Sequence, residues 1–291
     1  MNHNINRHSP QGTLNQGTPL TYNNNNEHYK TLNIGTHNVQ EFNLETKQRE
    51  LFDEYQELDI DIIGLTETKI NEKQSKITLN NKKNYKSWWT GLNDNSYTGG
   101  VGIAVKTGLN KHVANVIKRL KRLISIDLYF KGKRITSVIN IYINANEKDK
   151  AERENLIDEL IILIKEAQNR NFNIIVMGDM NADIEKYDKK QIIATKGKYR
   201  IIQTLRNRGL HDTHAIFNNG SIQPTWTSNR NPNIKTRIDH IWVSDNLLQE
   251  IIKVKTKEND MRRSDHNILT MTILTDKIIE HRSKAKEKRK R

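Results

Sequence analysis

Residues 152–181 read ERENLIDELIILIKEAQNRNFNIIVMGDMN, and this stretch decides the fold class. In its first half Leu156, Ile157, Leu160, Ile161, Leu163, Ile164 and Ala167 recur at three- and four-residue intervals. That spacing gathers apolar side chains on one face and predicts an amphipathic helix over 152–168. In its second half, residues 172–177 read as a buried strand, with the apolar run IIVM at 174–177, that Gly178 ends. A helix leading into a buried strand is the signature of α/β architecture. Asp179 and Asn181 follow the strand at once, in the segment GDMN.

The pattern continues in both directions. Strands are predicted over 31–40, 60–65, 100–105, 124–130, 134–143, 238–244 and 267–274. Helices are predicted over 45–58, with Leu51, Phe52 and Tyr55 on one face, and over 198–208, where Gly209 stops the helix. Alternating elements with several hairpin-like neighbours predict an α/β sandwich with mixed sheets over 30–275. Residues 1–29 are rich in Asn, Gln, Thr and Gly, with few apolar side chains to repay ordering entropy, and are expected to be disordered. Residues 276–291 end in KAKEKRKR, a basic tail that reads as a nuclear localisation signal, a phosphate-binding arm or a plain solubilising tail.

Composition narrows the chemistry. The 291 residues hold 48 Lys and Arg against 34 Asp and Glu, a net charge of +14, which suits a polyanionic partner. Cysteine is absent, so disulfides, thiolate metal sites and a cysteine nucleophile are excluded. No apolar run approaches the ~18 residues of a membrane span, and Asp158 and Glu159 interrupt the most apolar stretch. The first ten residues have no apolar core, so a secretory signal is not expected. An intracellular protein is expected, with KEKRKR pointing to the nucleus, and a monomer is the simplest state.

Polar residues recur where strands end: Asn38, Glu67, Tyr142, Asp179 with Asn181, Asp239 and Asp265 with His266. Rigid strands aim such groups into one crevice. Singly, each has an ordinary explanation as a turn, a cap or core packing.

In this order and spacing the set resembles the endonuclease/exonuclease/phosphatase superfamily from about residue 30 to residue 274. GGVGIAV at 99–105, GLHD at 209–212 and Thr225-Trp226 add to the likeness. The resemblance implies a four-layered α/β sandwich, two packed mixed β-sheets flanked by helices, and Mg2+- or Mn2+-dependent cleavage of phosphoesters. It implies Glu67, Asn38 and Asp265 around the metal, hard oxygen donors of the kind Mg2+ takes. It implies Asp179 as the group that orients or deprotonates water, with Asn181 positioning it. His266 would contact the scissile phosphate, Asp239 would fix the His266 tautomer, and Tyr142 would donate to the phosphate.

Tyr142 resembles the DNA-repair and retrotransposon-type branches; pancreatic-type deoxyribonucleases and sphingomyelinases carry His there. Three departures separate the chain from AP-endonuclease-like enzymes. YINAN at 142–146 replaces their Tyr-x-Pro-Asn and leaves the phosphate contact with either Asn144 or Asn146. Gln40 stands where they place an Asp, and Thr236 where they place a Trp before Arg-x-Asp. Trp226 offers one aromatic wall for the substrate. The closing motifs TW, RIDHI and SDH most resemble the endonuclease domains of non-LTR retrotransposons. A metal-dependent DNA endonuclease is therefore expected. A phosphatase, an RNA-directed relative and a catalytically silent DNA-binding module are the alternatives. Arg262 and Arg263, beside the SDH motif, are candidates to grip flanking phosphates, and Lys118, Arg119, Lys121 and Arg122 form a second basic cluster.

Overall fold

The computed structural model describes residues 31–78, 84–92, 99–130, 134–191, 193–218, 221, 223–258 and 263–275. The expectations for 1–29 and 276–291 lie outside these residues. Fourteen strands are described, twelve of them in two six-stranded sheets. The first sheet comprises β1 (Thr31–Asn38), β2 (Ile62–Thr66), β3 (Tyr85–Trp89), β4 (Val101–Lys106), β13 (Ile251–Lys257) and β14 (Ile268–Leu274). Its order is β13-β14-β1-β2-β4-β3. The second comprises β5 (Val113–Arg119), β6 (Leu123–Leu128), β7 (Thr136–Tyr142), β8 (Asn173–Asp179), β9 (Leu210–Asp212) and β12 (Asp239–Ser244). Its order is β5-β6-β7-β8-β12-β9. A small hairpin, β10 (Trp226–Thr227) and β11 (Lys235–Thr236), stands apart.

The sheets pack face to face. Ile34, Ile62, Ile103, Ile126, Val138, Met177, Ile241 and Met271 share the core between them. Outside the first sheet lies α1 (Glu45–Glu57), whose Leu51, Phe52 and Tyr55 pack on Ile63 and Leu65. Outside the second lie α3 (Lys150–Asn169) and α5 (Arg200–Asn207). The shorter helices are α2 (Glu72–Ile77), α4 (Ile184–Lys190), α6 (Thr213–Phe217) and α7 (Asp245–Leu248). This is the four-layered sandwich. β8 shows why the middle of a central strand is apolar on both faces. Ile175 and Met177 enter the core between the sheets, while Ile174 and Val176 face α3 and α5.

Topology brings the strand ends together. In each sheet one central pair is parallel, β1 with β2 and β7 with β8, so their C-terminal ends share an edge. β14 and β12 run antiparallel to β1 and β8, so their N-terminal ends arrive at that edge. The predicted strand 31–40 is shorter than expected, because Gln40 (φ 44°) and Glu41 (φ 88°) turn the chain out of the sheet.

Asn140, fully buried on β7, ties the sheets together. Its Nδ2 donates to the carbonyls of Leu65 and Gly102, both at 2.9 Å. Space for it exists because residue 64 is glycine, where a Cβ would stand 2.8 Å from the Asn140 amide. Asn140→Ala removes both bonds and leaves a void. We expect a stability loss of about 2–4 kcal/mol, seen as a lower urea midpoint. A loss well under about 1 kcal/mol would show that the bridge contributes little.

Candidate active site

Glu67 follows β2 at φ 55°, a conformation that costs energy for a residue with a Cβ and is held by its surroundings. Its carbonyl accepts from Glu41 N at 2.8 Å, and Thr68 N and Lys69 N donate to Gly100 and Gly99. The close approach requires glycine at 100, where φ is 81° and a Cβ would lie 2.5 Å from Thr68 Oγ1. Asn38 Nδ2 donates to Glu67 Oε2 at 3.1 Å and to Asp179 Oδ2 at 2.8 Å. Its Oδ1 is occupied by Gln40 N at 3.0 Å. Asn38 therefore holds Glu67 and Asp179 in place through its N–H groups. Holding Glu67 is a role that suits a residue placed around the metal site.

Asp179 ends β8 and is almost wholly buried. Its Oδ1 accepts from Asn181 N at 2.9 Å, and its Oδ2 accepts from the side chains of Asn38 and Asn181, the latter at 3.2 Å. A carboxylate has about four acceptor sites; three are filled here, which leaves one for a water. Burial, reinforced by the neighbouring Asp239 charge, pushes Asp179 up to about 7. Asn181 also donates to the Ile143 carbonyl at 2.7 Å, pinning the loop after β7. Gly178, at φ 134°, lets β8 run close to β7, since a Cβ there would sit 1.9 Å from the Ile141 carbonyl oxygen. Gly178→Ala is expected to displace Asp179 and destabilise the fold by at least about 3 kcal/mol. An unchanged melting temperature and activity would show that the strands separate freely.

Opposite Asp179 on β12 stands Asp239, its register partner. Asp239 Oδ2 lies 2.8 Å from His266 Nδ1, and both side chains are buried. Burial alone lowers the His266 value, but the Asp239 carboxylate outweighs it and raises His266 to about 9. The ring is thus protonated at neutral pH, with Nδ1–H donated to Asp239 and Nε2–H available.

Two residues that sequence reading did not assign to the site hold this pair. Thr225 Oγ1 accepts from Ile238 N and Asp239 N at 3.1 and 3.0 Å. Ser264 Oγ donates to the Asn38 carbonyl at 2.6 Å and accepts from His266 N at 3.1 Å. Each lies beside a motif, in TW and SDH, which was the only signal for it. Asp265 Oδ2 accepts from Trp226 Nε1 at 3.0 Å and from Asn229 at 3.2 Å, which fixes the indole next to His266.

Tyr142 pairs with Asp179 in register at the end of β7. Burial, with the charges of Asp179 and Glu67, keeps its hydroxyl protonated far above neutral pH. Arg122 hydrogen-bonds that hydroxyl, lies 5.2 Å from the ring centroid and pairs with Glu152 at 2.9 Å. The expected basic cluster is therefore dispersed. Arg122 is buried against Tyr142, Arg119 pairs with Glu159, and Lys118 lies on the edge strand β5.

Three other expected residues have local partners. Asn144 bonds Asp149 and accepts from Asn146 N, and Asn146 accepts from Lys148 N, so both serve their own loop. Arg263 pairs with Glu50 on α1. Arg262 lies outside the described residues.

Among the described residues, Asp179, Asp239 and His266 are the group with potential ligand atoms all within 4.8 Å of one another. As found, they form an acid–base set, because a protonated imidazole cannot ligate. Asp239 Oδ1 and Asp265 Oδ1 are buried without a hydrogen-bond partner, the latter 3.6 Å from His266 Nε2. Glu67 Oε1 faces Lys69 Nζ at 3.4 Å. These hard oxygen donors fit a divalent cation such as Mg2+ or Mn2+.

The profile of the endonuclease/exonuclease/phosphatase family matches residues 35–266. No curated protein matches the chain. Among solved structures, the chain is similar to a 3′ phosphatase from Neisseria bound to a product DNA hairpin. Identity is 21% and the TM-score 0.67, over 82% of this chain and 98% of that one. It is also similar to an AP endonuclease from Leishmania major, with 15% identity and a TM-score of 0.66 over 84% and 88% of the two chains. An AP endonuclease from Archaeoglobus fulgidus gives 19% identity and a TM-score of 0.64 over 83% and 99%. At these identities the likeness concerns the fold.

Proposed function

The chain belongs to the endonuclease/exonuclease/phosphatase family, and from that premise we propose that it is a divalent-metal-dependent phosphodiesterase that nicks DNA. The observation that carries the reading is a buried carboxylate and a buried histidine cation facing one another, each held by its own hydrogen bonds. Hydrolysis of a phosphodiester needs an activated water and donors for the phosphoryl oxygens. Asp179, with one acceptor site free and a value near neutrality, takes the proton of the attacking water. Asn38 and Asn181 fix its orientation. Protonated His266 donates from Nε2 to a phosphoryl oxygen, and Asp239 holds it in that state. The Tyr142 hydroxyl is a second donor, kept in place by Arg122. Glu67 and Asp265 would hold the metal ion, Mg2+ or Mn2+, which when bound stabilises charge on the phosphoryl and leaving oxygens.

The net charge of +14 supports a nucleic-acid substrate. Tyr142 and the TW, RIDHI and SDH motifs support the retrotransposon-type branch, and Trp226 beside His266 supplies an aromatic face for a base or sugar. The deciding experiment is nicking of supercoiled plasmid by purified protein with Mg2+ and with EDTA. Mg2+-dependent conversion to open circles is expected. A folded protein that binds Mg2+ and leaves the plasmid intact would overturn the DNA reading in favour of RNA or a smaller phosphoester.

A further inference from the structure

We infer that the outer face of the β13–β14 hairpin is a second nucleic-acid surface, which binds the phosphates of a single strand extending away from the active-site edge. β13 is the edge strand of its sheet. A bulge between Ile251 and Lys253 resets its register, so that Ile251 and Val254 face the core while Lys253 and Lys255 are exposed. Lys253, Lys255 and Lys257 pair in register with Thr272, Thr270 and Ile268 of β14. On β14, Thr270 and Thr272 alternate with the buried Leu269, Met271 and Ile273 and are half-exposed. Asn33 of β1 continues the row, accepting from Thr272 Oγ1 at 2.7 Å. The Thr270, Thr272 and Asn33 side chains donate within the protein, to the Lys255 carbonyl, Asn33 Oδ1 and the Asp59 carbonyl, so the phosphate contacts fall to the lysines.

The spacing also suits a polynucleotide strand. Alternate side chains on a β-strand stand about 6.7 Å apart, close to the separation of neighbouring phosphates in an extended polynucleotide strand. The row begins opposite Ile268, two residues from His266, and runs away from the site. No acidic side chain pairs with Lys253 or Lys255 among the described residues, and the Lys255 charge pushes Lys253 below its ordinary value. Two cations thus stand side by side without an ion pair among the described residues. Lysines on an edge strand also discourage sheet-to-sheet pairing, a role that would leave nucleic-acid affinity unaffected.

The test uses the full chain in EDTA, so that it reads binding without turnover and stands apart from the nicking assignment. Fluorescence anisotropy compares a blunt 12-bp duplex with the same duplex carrying a 12-nucleotide single-stranded overhang. Wild type is expected to bind the overhang substrate about tenfold more tightly, and K253Q/K255Q to lose that gain while keeping its affinity for the blunt duplex. The salt slope on the overhang substrate should fall by about 1.4 for two lost phosphate contacts. K253R/K255R should behave as wild type. An overhang that adds nothing in wild type, a gain that survives in K253Q/K255Q, or equal loss on both substrates would overturn the inference. So would loss of binding to phosphatidylserine vesicles with overhang binding unchanged. Absence of plasmid nicking with these results intact would count against the nicking assignment alone.

Discussion

Asp179→Asn is expected to lower the rate of Mg2+-dependent plasmid nicking by at least about 10³-fold while leaving DNA affinity within about threefold. The amide is nearly isosteric, and the side chain is buried among Asn38 and Asn181 rather than exposed to a ligand. What changes is basicity, since an amide cannot take the water's proton. It also presents an N–H to one of the two asparagine donors, so the local network must rearrange around one lost bond. Removing a buried negative charge close to Asp239 should offset that loss, because burial and Asp239 both resist ionisation of Asp179. A melting temperature close to that of wild type is therefore expected with the loss of activity. Retention of nicking in a folded Asp179→Asn protein would remove Asp179 as the water-activating group. Loss of DNA binding in step with activity would instead make it a substrate contact.

Elements with a continuous apolar run or a helical period were legible in the sequence. β8 and α3 are packed on two sides or along one face, and their composition records it. Edge elements were not. β3, β5 and β13 border a sheet and mix exposed with buried positions, and the bulge in β13 breaks its alternation. β9, β10 and β11 have only two or three residues, too few to show a period. At the site, residues at strand ends could be read because a carboxylate, amide or imidazole has little reason to terminate a buried strand in repeated instances. Their partners could not. Arg237 stands two residues before Asp239 in RIDHI, yet its guanidinium turns to Asp212 and Glu185, 2.7 and 2.8 Å away. Nothing in local spacing distinguishes those partners, because β9 and α4 reach Arg237 only through the tertiary fold. The same holds for Arg122, whose place beside Tyr142 depends on the turn at Leu120 and Lys121, both at positive φ.

The pH dependence of the rate offers the most specific test of the Asp239–His266 pair. Asp179 must be ionised to accept a proton, so activity should rise with pH through about 7. His266 must be protonated to donate from Nε2, so activity should fall as pH rises through about 9. The expected profile is a bell, and its two limbs belong to the coupled set rather than to isolated residues. Asp239→Asn removes the carboxylate that raises His266 and leaves the burial that lowers it. His266 then loses its proton at a lower pH, and the alkaline limb moves toward acid. The same change relieves Asp179 of a neighbouring negative charge, so the acid limb moves in the same direction. At pH 8 the variant holds its histidine neutral, and a loss of roughly 10²–10⁴-fold is expected. His266→Ala should lose a similar factor and show no alkaline limb. Stability should follow the same sign. The raised His266 value favours the folded state fully below its ordinary 6.5, and that contribution disappears as pH rises through about 9. The destabilisation of Asp239→Asn by this route should therefore be greatest at low pH and vanish above 9. An alkaline limb that stays in place in Asp239→Asn would show that another group titrates there, and His266 would no longer be the cation at the phosphate.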